Sequence, residues 1–322
     1  MDPSLPEGHC LTPVEILEGE RSGEPAAGEV IVLLLWHLGD VLNATALLPD
    51  LAARHGRKLT FATTRACVPI LARHPSLARI RVVDRALPET LSPADWHELS
   101  QLHRALFPDA SVVYNLHIPI RLPGMSHHII ETWGRAVGIE KAWHQMKPAY
   151  YPDPSGTASP FAGDHLVLGS GGSSARKHWP AERWRGLVEW LRSRHHGLRL
   201  VQIGGPGDPP IEGVEDHRGT TVDESYRVLT DARACVTNDS FLAHLACAAE
   251  CPTVVIFGPT CSMQFRPLGG AHVSNLGGHG RRTPCTRNFC RFFPNRPCFA
   301  FPSLHAVRDA VESALRDGEK RS

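Results

Sequence analysis

The chain has 322 residues, 42% of them hydrophobic and 21% charged, with 34 Lys+Arg against 33 Asp+Glu. That length suits two domains, each with its own core, and a net charge of +1 sets up no one-signed field of the kind nucleic acid selects. No apolar run reaches the ~20 residues of a membrane helix, and residues 1–28 lack the basic start and apolar stretch of a secretion signal. A cytoplasmic protein with a loosely ordered leader over 1–28 is therefore expected.

From there apolar runs alternate with amphipathic stretches, the βα pattern of parallel sheets. Residues 29–36 form a near-continuous apolar run, as a strand buried on both faces requires. A turn at 37–40 leads into a helix over 41–55. Strands are expected at 59–63, 80–83 and 111–116, and helices at 68–74, 94–107 and 126–137. Composition changes between 146 and 163, where prolines and glycines replace apolar periodicity. The pattern then restarts with strands at 165–169, 198–203, 234–237 and 253–257 and helices at 181–195, 225–232, 240–249 and 303–315. The expected organisation is an N-terminal domain over 29–150, a linker over 151–163 and a C-terminal domain over 164–322. Each reads as a doubly wound, Rossmann-like α/β domain.

Ligands of open parallel sheets bind beyond the carboxyl ends of the strands, and four such loops carry distinctive residues. In Trp36-His37-Leu38-Gly39-Asp40, Gly39 permits a tight turn, and Asp40 reads either as a helix N-cap or as a carboxylate able to take a proton. The Gly/Ser loop from Gly169 to Ser174, followed by Lys177, reads as a flexible basic turn or as a phosphate cradle; it lacks the spacing of a P-loop. Gly204-Gly205-Pro206-Gly207-Asp208 is a glycine bend with an acid positioned to hold a ribose diol. In Thr237-Asn238-Asp239-Ser240-Phe241-Leu242-Ala243-His244, Asp239 and Ser240 fall at a helix start that favours anions. His244, one turn on, shares the face of Ser240. Capping and a buried histidine would also account for that segment.

These elements together resemble glycosyltransferase family 9, the heptosyltransferase-like enzymes of GT-B fold. The matching residues are Leu38-Gly39-Asp40-Val41-Leu42 with Ala46-Leu47-Leu48-Pro49, and Lys177-His178-Trp179-Pro180 with Glu182-Arg183-Trp184. Asn238-Asp239-Ser240 with Leu242-Ala243-His244-Leu245-Ala246 and Phe257-Gly258-Pro259-Thr260 follow, in family order. The resemblance implies two Rossmann-like domains facing a central cleft and an inverting, metal-independent transfer of a sugar, heptose from ADP-heptose, to an acceptor hydroxyl. It implies Asp40 as general base and Ser173, Lys177, Gly204, Gly205, Asp208, Asp239, Ser240 and His244 as donor-binding residues, with no cofactor required. The acceptor stays open among a glycan, a lipid-linked sugar, a protein and a small molecule. Phe241 stands where the family has glycine, and Trp36-His37 depart from the small or basic residues usual before Gly-Asp. These departures keep a second reading open, a non-catalytic nucleotide-sugar-binding or scaffold protein. Arg65, Arg121 and His127-His128 are available to meet an anionic acceptor, or are solvated surface.

The nine cysteines fall into two kinds. Cys67, Cys235, Cys247 and Cys251 sit in apolar settings and read as reduced core thiols. Cys285, Cys290 and Cys298, with Cys261 or a histidine as fourth ligand, could hold a structural zinc or iron, although no CxxC is present; a reduced loop or one disulfide is the alternative.

Overall fold

The computed structural model describes residues 15–18, 28–83, 93–118, 127–156, 159, 161, 164–270, 272–278 and 300–319. Contacts divide the chain into two units, one of Met1–Val41 with Leu48–Pro119 and one of Leu42–Leu47 with Ile120–Ser322.

The first unit contains β1 (Glu15–Glu18), β2 (Val30–Leu33), the start of α1 (Leu38–Ala44), α2 (Leu48–His55), β3 (Leu59–Thr63), α3 (Val68–Leu71), β4 (Leu77–Val82), α4 (Pro93–Leu106) and β5 (Val112–Asn115). Its five-stranded sheet has the order β1-β4-β3-β2-β5. Pairings are parallel except at β1, which runs antiparallel to β4 with Glu15 opposite Val82. This edge strand falls inside the segment expected to be a loose leader, so the leader expectation does not hold at Glu15–Glu18. Strands β2 and β3 are buried throughout. The apolar run that announced β2 is thus the signature of a central parallel strand covered on both faces.

The second unit contains α5 (Ile129–Ala136), β6 (His165–Gly169), α6 (Ala181–Arg194), β7 (Arg199–Gly204), β8 (Glu215–Arg218), α7 (Val222–Asp231), β9 (Ala234–Asn238), α8 (Phe241–Ala248), β10 (Thr253–Phe257), α9 (Ser262–Phe265), β11 (Val273–Gly277) and α10 (Leu304–Glu319). The six strands are all parallel and ordered β11-β10-β9-β6-β7-β8. Numbered from β6, this is the 3-2-1-4-5-6 order of a dinucleotide-binding sheet, read from the other edge, and its chain order reverses between β6 and β9. Side chains of β10 alternate in the period of two that a strand dictates. Val254 and Ile256 join the core made with Leu187, Leu191, Val307 and Val311 of α6 and α10. Val255 and Phe257 pack with Ala243 of α8 on the opposite face. Burying a leucine such as Leu187 contributes about 2 kcal/mol.

The division between units falls earlier than the composition change at 151–163 suggested. Helix α5 buries Ile129, Ile130 and Trp133 and belongs by contact to the second unit. The expected linker is itself fastened to α7: the Tyr150 hydroxyl donates to Asp223, and the Asp153 amide donates to both Asp223 carboxylate oxygens at 3.1 Å. Composition registers a lack of regular structure there but not these side-chain ties.

Candidate functional site

The reversal between β6 and β9 opens a natural binding position at their carboxyl ends. Asn238, the last residue of β9, holds this position together. Its Nδ2 donates to the Ser170 carbonyl at 2.6 Å and the Gly171 carbonyl at 3.3 Å, and its Oδ1 accepts from the Trp179 amide at 3.3 Å. The loop that follows β6 is thereby fastened at both its beginning and its end.

Inside that frame the Lys177 ammonium lies 2.9 Å from Asp239 Oδ2, which also accepts from the Thr260 hydroxyl at 2.6 Å. Asp239 is 4% exposed. Burial pushes its carboxyl up, but the Lys177 charge and the Thr260 and Lys177 hydrogen bonds outweigh it, and the group is held below the usual carboxylate range. Ser240 is the N-cap of α8 without a side-chain capping bond. Its hydroxyl instead lies 3.2 Å from that of Thr237, so the Ser240 side chain does not cap the amide groups of the helix start. Burial pushes His244 down to about 4, with Asp239 opposing and His128 and Lys177 adding to the effect. His244 is therefore neutral at pH 7, and its buried Nδ1 has no hydrogen-bond partner among the described residues.

The glycine bend after β7 performs a specific spatial task. The Asp208 carboxylate folds back and accepts from the Gly205 amide at 2.9 Å. It occupies the space where a Cβ on Gly171 would lie, 2.1 Å from Oδ2. Gly204, at φ +141°, also leaves no room for a side chain beside that carboxylate. Asp208, Gly171, Gly204 and Gly205 thus form one cluster, while Lys177, Asp239, Ser240 and His244 form another on the same strand ends. Ser173 is exposed on the loop, and the adjacent Ser174 is the one that caps, accepting from the Arg176 amide at 3.2 Å.

In the first unit, α1 begins at Leu38, so Asp40 lies within its first turn and is not the N-cap. Its amide donates to the His37 carbonyl at 3.0 Å, and the rings of Trp36 and His37 meet at 4.9 Å. The strand end leading to Asp40 is braced by residues that sequence reasoning missed. The Leu35 amide donates to His117 Nε2 at 2.9 Å, so Nδ1 carries the proton and donates to Asn115 Oδ1 at 2.7 Å. Asn115 Nδ2 in turn donates to the Leu99 carbonyl at 2.9 Å. Among the proposed acceptor-facing residues, Arg65 is exposed and Arg121 lies outside the described residues. His127 pairs with Glu131 at 3.4 Å. His128 is buried: Nδ1 accepts from the Ile130 amide as the N-cap of α5, and Nε2 donates to the Arg266 carbonyl at 2.8 Å. It is a structural tie within the second unit, not solvated surface.

Of the possible metal ligands, Cys285, Cys290 and Cys298 lie outside the described residues. Cys261 is a half-buried free thiol. Among the described residues no group of three or more His, Cys, Asp or Glu side chains could hold a metal ion, and no helix is long and apolar enough to cross a membrane.

Two α/β units, the second with a complete doubly wound parallel sheet and its candidate residues at the strand-order reversal, define a GT-B glycosyltransferase fold. Comparison with known proteins agrees. The sequence profile of glycosyltransferase family 9 (heptosyltransferase) matches residues 218–294. Lipopolysaccharide heptosyltransferase 1 of Pseudomonas aeruginosa is 25% identical over 317 aligned positions, covering 82% of this chain and 88% of the relative. A family 9 glycosyl transferase from Veillonella parvula superposes with a TM-score of 0.67 at 16% identity, covering 92% of this chain and all of that one. The iron-containing heptosyltransferase TibC of enterotoxigenic Escherichia coli, solved with ADP-D-β-D-heptose, gives a TM-score of 0.62 at 15% identity over 92% of this chain and 77% of its own. The resemblance to family 9 is borne out: the chain has the GT-B fold and is similar in sequence to heptosyltransferases.

Proposed function

We propose that this protein transfers a heptose from ADP-heptose to the hydroxyl of a glycan or lipid-linked sugar, with inversion and without a metal. The observation that carries the donor site is the meeting of Lys177, Asp239, Ser240 and the amino end of α8 at the strand-order reversal of the second sheet. As the C1–O bond to the diphosphate breaks, its electron pair passes to the leaving phosphate. Lys177, the Ser173 and Ser240 hydroxyls and the helix start stabilise the charge that builds there, the task a metal performs elsewhere. Neutral His244 offers Nδ1 to the same group. The ribose diol pairs with Asp208. Asp40 takes the proton of the acceptor hydroxyl as its oxygen attacks C1 from the face opposite the diphosphate. The cysteine cluster supplies no step, and zinc or iron there would be structural. Among the described residues Cys67, Cys235, Cys247 and Cys261 form no disulfide, which supports a reducing, cytoplasmic site of action.

Calorimetric titration with a panel of nucleoside diphosphates, chelator present, tests the donor assignment. Micromolar binding of ADP, lost in Lys177→Ala, is the expected outcome; no binding by any diphosphate would remove it. Phe241, half-buried at the first position of α8, favours the alternative of a non-catalytic nucleotide-sugar binder. Asp40→Ala separates the two. It should abolish transfer and leave ADP affinity within about twofold of wild type for an enzyme, whereas a binder would show no transfer to begin with.

A further inference from the structure

The charge at the proposed donor site is incomplete for the ligand it would hold. Lys177 is committed at 2.9 Å to Asp239, so that pair carries no net charge. His244 and His128 are both pushed down to about 4, chiefly by burial, and are neutral at pH 7. A nucleoside diphosphate brings at least two negative charges, and one helix start supplies only about half a unit of positive charge.

A further cation of the second unit is linked to this site through His128. Arg266 follows directly on α9, in the loop region beyond β10 that also contributes Thr260 to the Asp239 carboxylate. Its guanidinium carbon lies 4.4 Å from the centre of the Trp143 ring. Its backbone carbonyl is held by His128 Nε2 at 2.8 Å, and His128 stacks on the same Trp143 ring at 5.7 Å and 17°. His128 in turn acts electrostatically on His244. Arg266 is thus fixed on both sides, by an aromatic face at its head and a hydrogen bond at its backbone. Among the described residues it forms no ion pair with a carboxylate, and its buried Nε has no hydrogen-bond partner. Ordering a long cationic side chain costs about 2 kcal/mol of rotamer entropy. A stacked guanidinium without a carboxylate is a preorganised fork for an oxyanion.

We propose that Arg266, held over Trp143 and braced by His128, is a diphosphate-reading residue of the donor site, supplying the positive charge that the Lys177–Asp239 pair lacks. This rests on the donor assignment above. It makes Arg266 a determinant of preference for a diphosphate over a nucleoside or monophosphate, with the aromatic face of Trp143 positioning it.

The test is calorimetric titration of the full chain with ADP, AMP, adenosine and inorganic pyrophosphate, using wild type, Arg266→Gln, Arg266→Lys and Trp143→Phe, with the thermal midpoint of each variant checked. Arg266→Gln is expected to weaken ADP and pyrophosphate at least tenfold while changing adenosine less than twofold, and to flatten the salt dependence of ADP binding. Arg266→Lys should fall between, because it keeps the charge and loses the planar fork. Trp143→Phe should lose little, since a ring face remains. Equal losses for ADP and adenosine would mean a structural role and overturn the proposal. Unchanged ADP affinity with a raised KM for the acceptor would also overturn it, assigning Arg266 to an acidic group of the acceptor. Failure of wild type to bind any of these probes would instead strike the donor assignment itself and remove the inference with it.

Discussion

Lys177 and Asp239 each depend on the other. Replacing Lys177 by Met leaves a carboxylate that is 4% exposed, with the Thr260 hydroxyl as its remaining side-chain hydrogen-bond donor among the described residues. Breaking a buried pair in this way costs about 3 kcal/mol. Lys177→Met should therefore lower the unfolding free energy in urea by that order as well as abolish ADP binding. The double change Lys177→Met with Asp239→Asn should recover most of the stability and none of the binding. A double variant as unstable as Lys177→Met would show that the unpaired Asp239 charge is not the source of the loss. This pairing was not legible in the sequence, which offered Lys177 and Asp239 as separate residues 62 positions apart. Their motifs identified the residue types, but only the return of β9 beside β6 brings the two charges together. Thr260 lay within a recognised motif without a role, and Trp143 and Arg266 carried no local signal, because stacking between distant segments leaves no periodicity to read.

At the scale of elements, glycine placement makes the sharper predictions. Gly171→Ala would set a methyl group 2.1 Å from the Asp208 carboxylate. That carboxylate is tethered to the Gly205 amide, so it must swing away. ADP affinity should fall as far as in Asp208→Ala, and the double variant should be no weaker than either single one, read by calorimetry. Gly318, in the last turn of α10, faces the Arg233 backbone carbonyl, 2.0 Å from where a Cβ would stand. Gly318→Ala should destabilise by about 1–3 kcal/mol through overpacking, with nucleotide affinity unchanged in the folded fraction. The buried strands were readable because parallel, doubly covered strands are continuous apolar runs. Strands β1, β8 and β11 were missed for the complementary reason that they are sheet edges. The sequence of β8 is Glu-Asp-His-Arg, with Glu215 and Asp216 exposed, and an edge strand requires no apolar alternation. Helix α7 begins at Val222, earlier than expected, because Thr221 and Glu224 form a reciprocal capping box, a pairing set by spacing and not by hydrophobicity.

Across the whole molecule, buried histidines tie stability to pH. His74, His128 and His244 are each pushed down to about 4 by burial. The unfolded chain holds these groups near their ordinary value, so between that value and 4 it binds more protons than the folded state. Stability is therefore full above about pH 6.5 and falls as pH drops toward 4, by about 2 kcal/mol per histidine at pH 5. Asp239 works in a lower window, its contribution present above the ordinary carboxylate range and lost as pH falls through its depressed folded value. The thermal midpoint should drop steeply between pH 7 and pH 5. His128→Asn, which keeps a capping acceptor at the start of α5, should flatten that slope; an unchanged slope would show that His128 is not one of the groups responsible.

The three hydrogen bonds of Asn238 have a further thermodynamic meaning. They restrain the loop after β6 at Ser170, Gly171 and Trp179, so much of the conformational freedom that a phosphate-binding loop would otherwise surrender on meeting its ligand has already been lost during folding. Nucleotide capture should then require little ordering of the chain, and the amides of this loop should resist deuterium uptake nearly as well before ligand arrives as after.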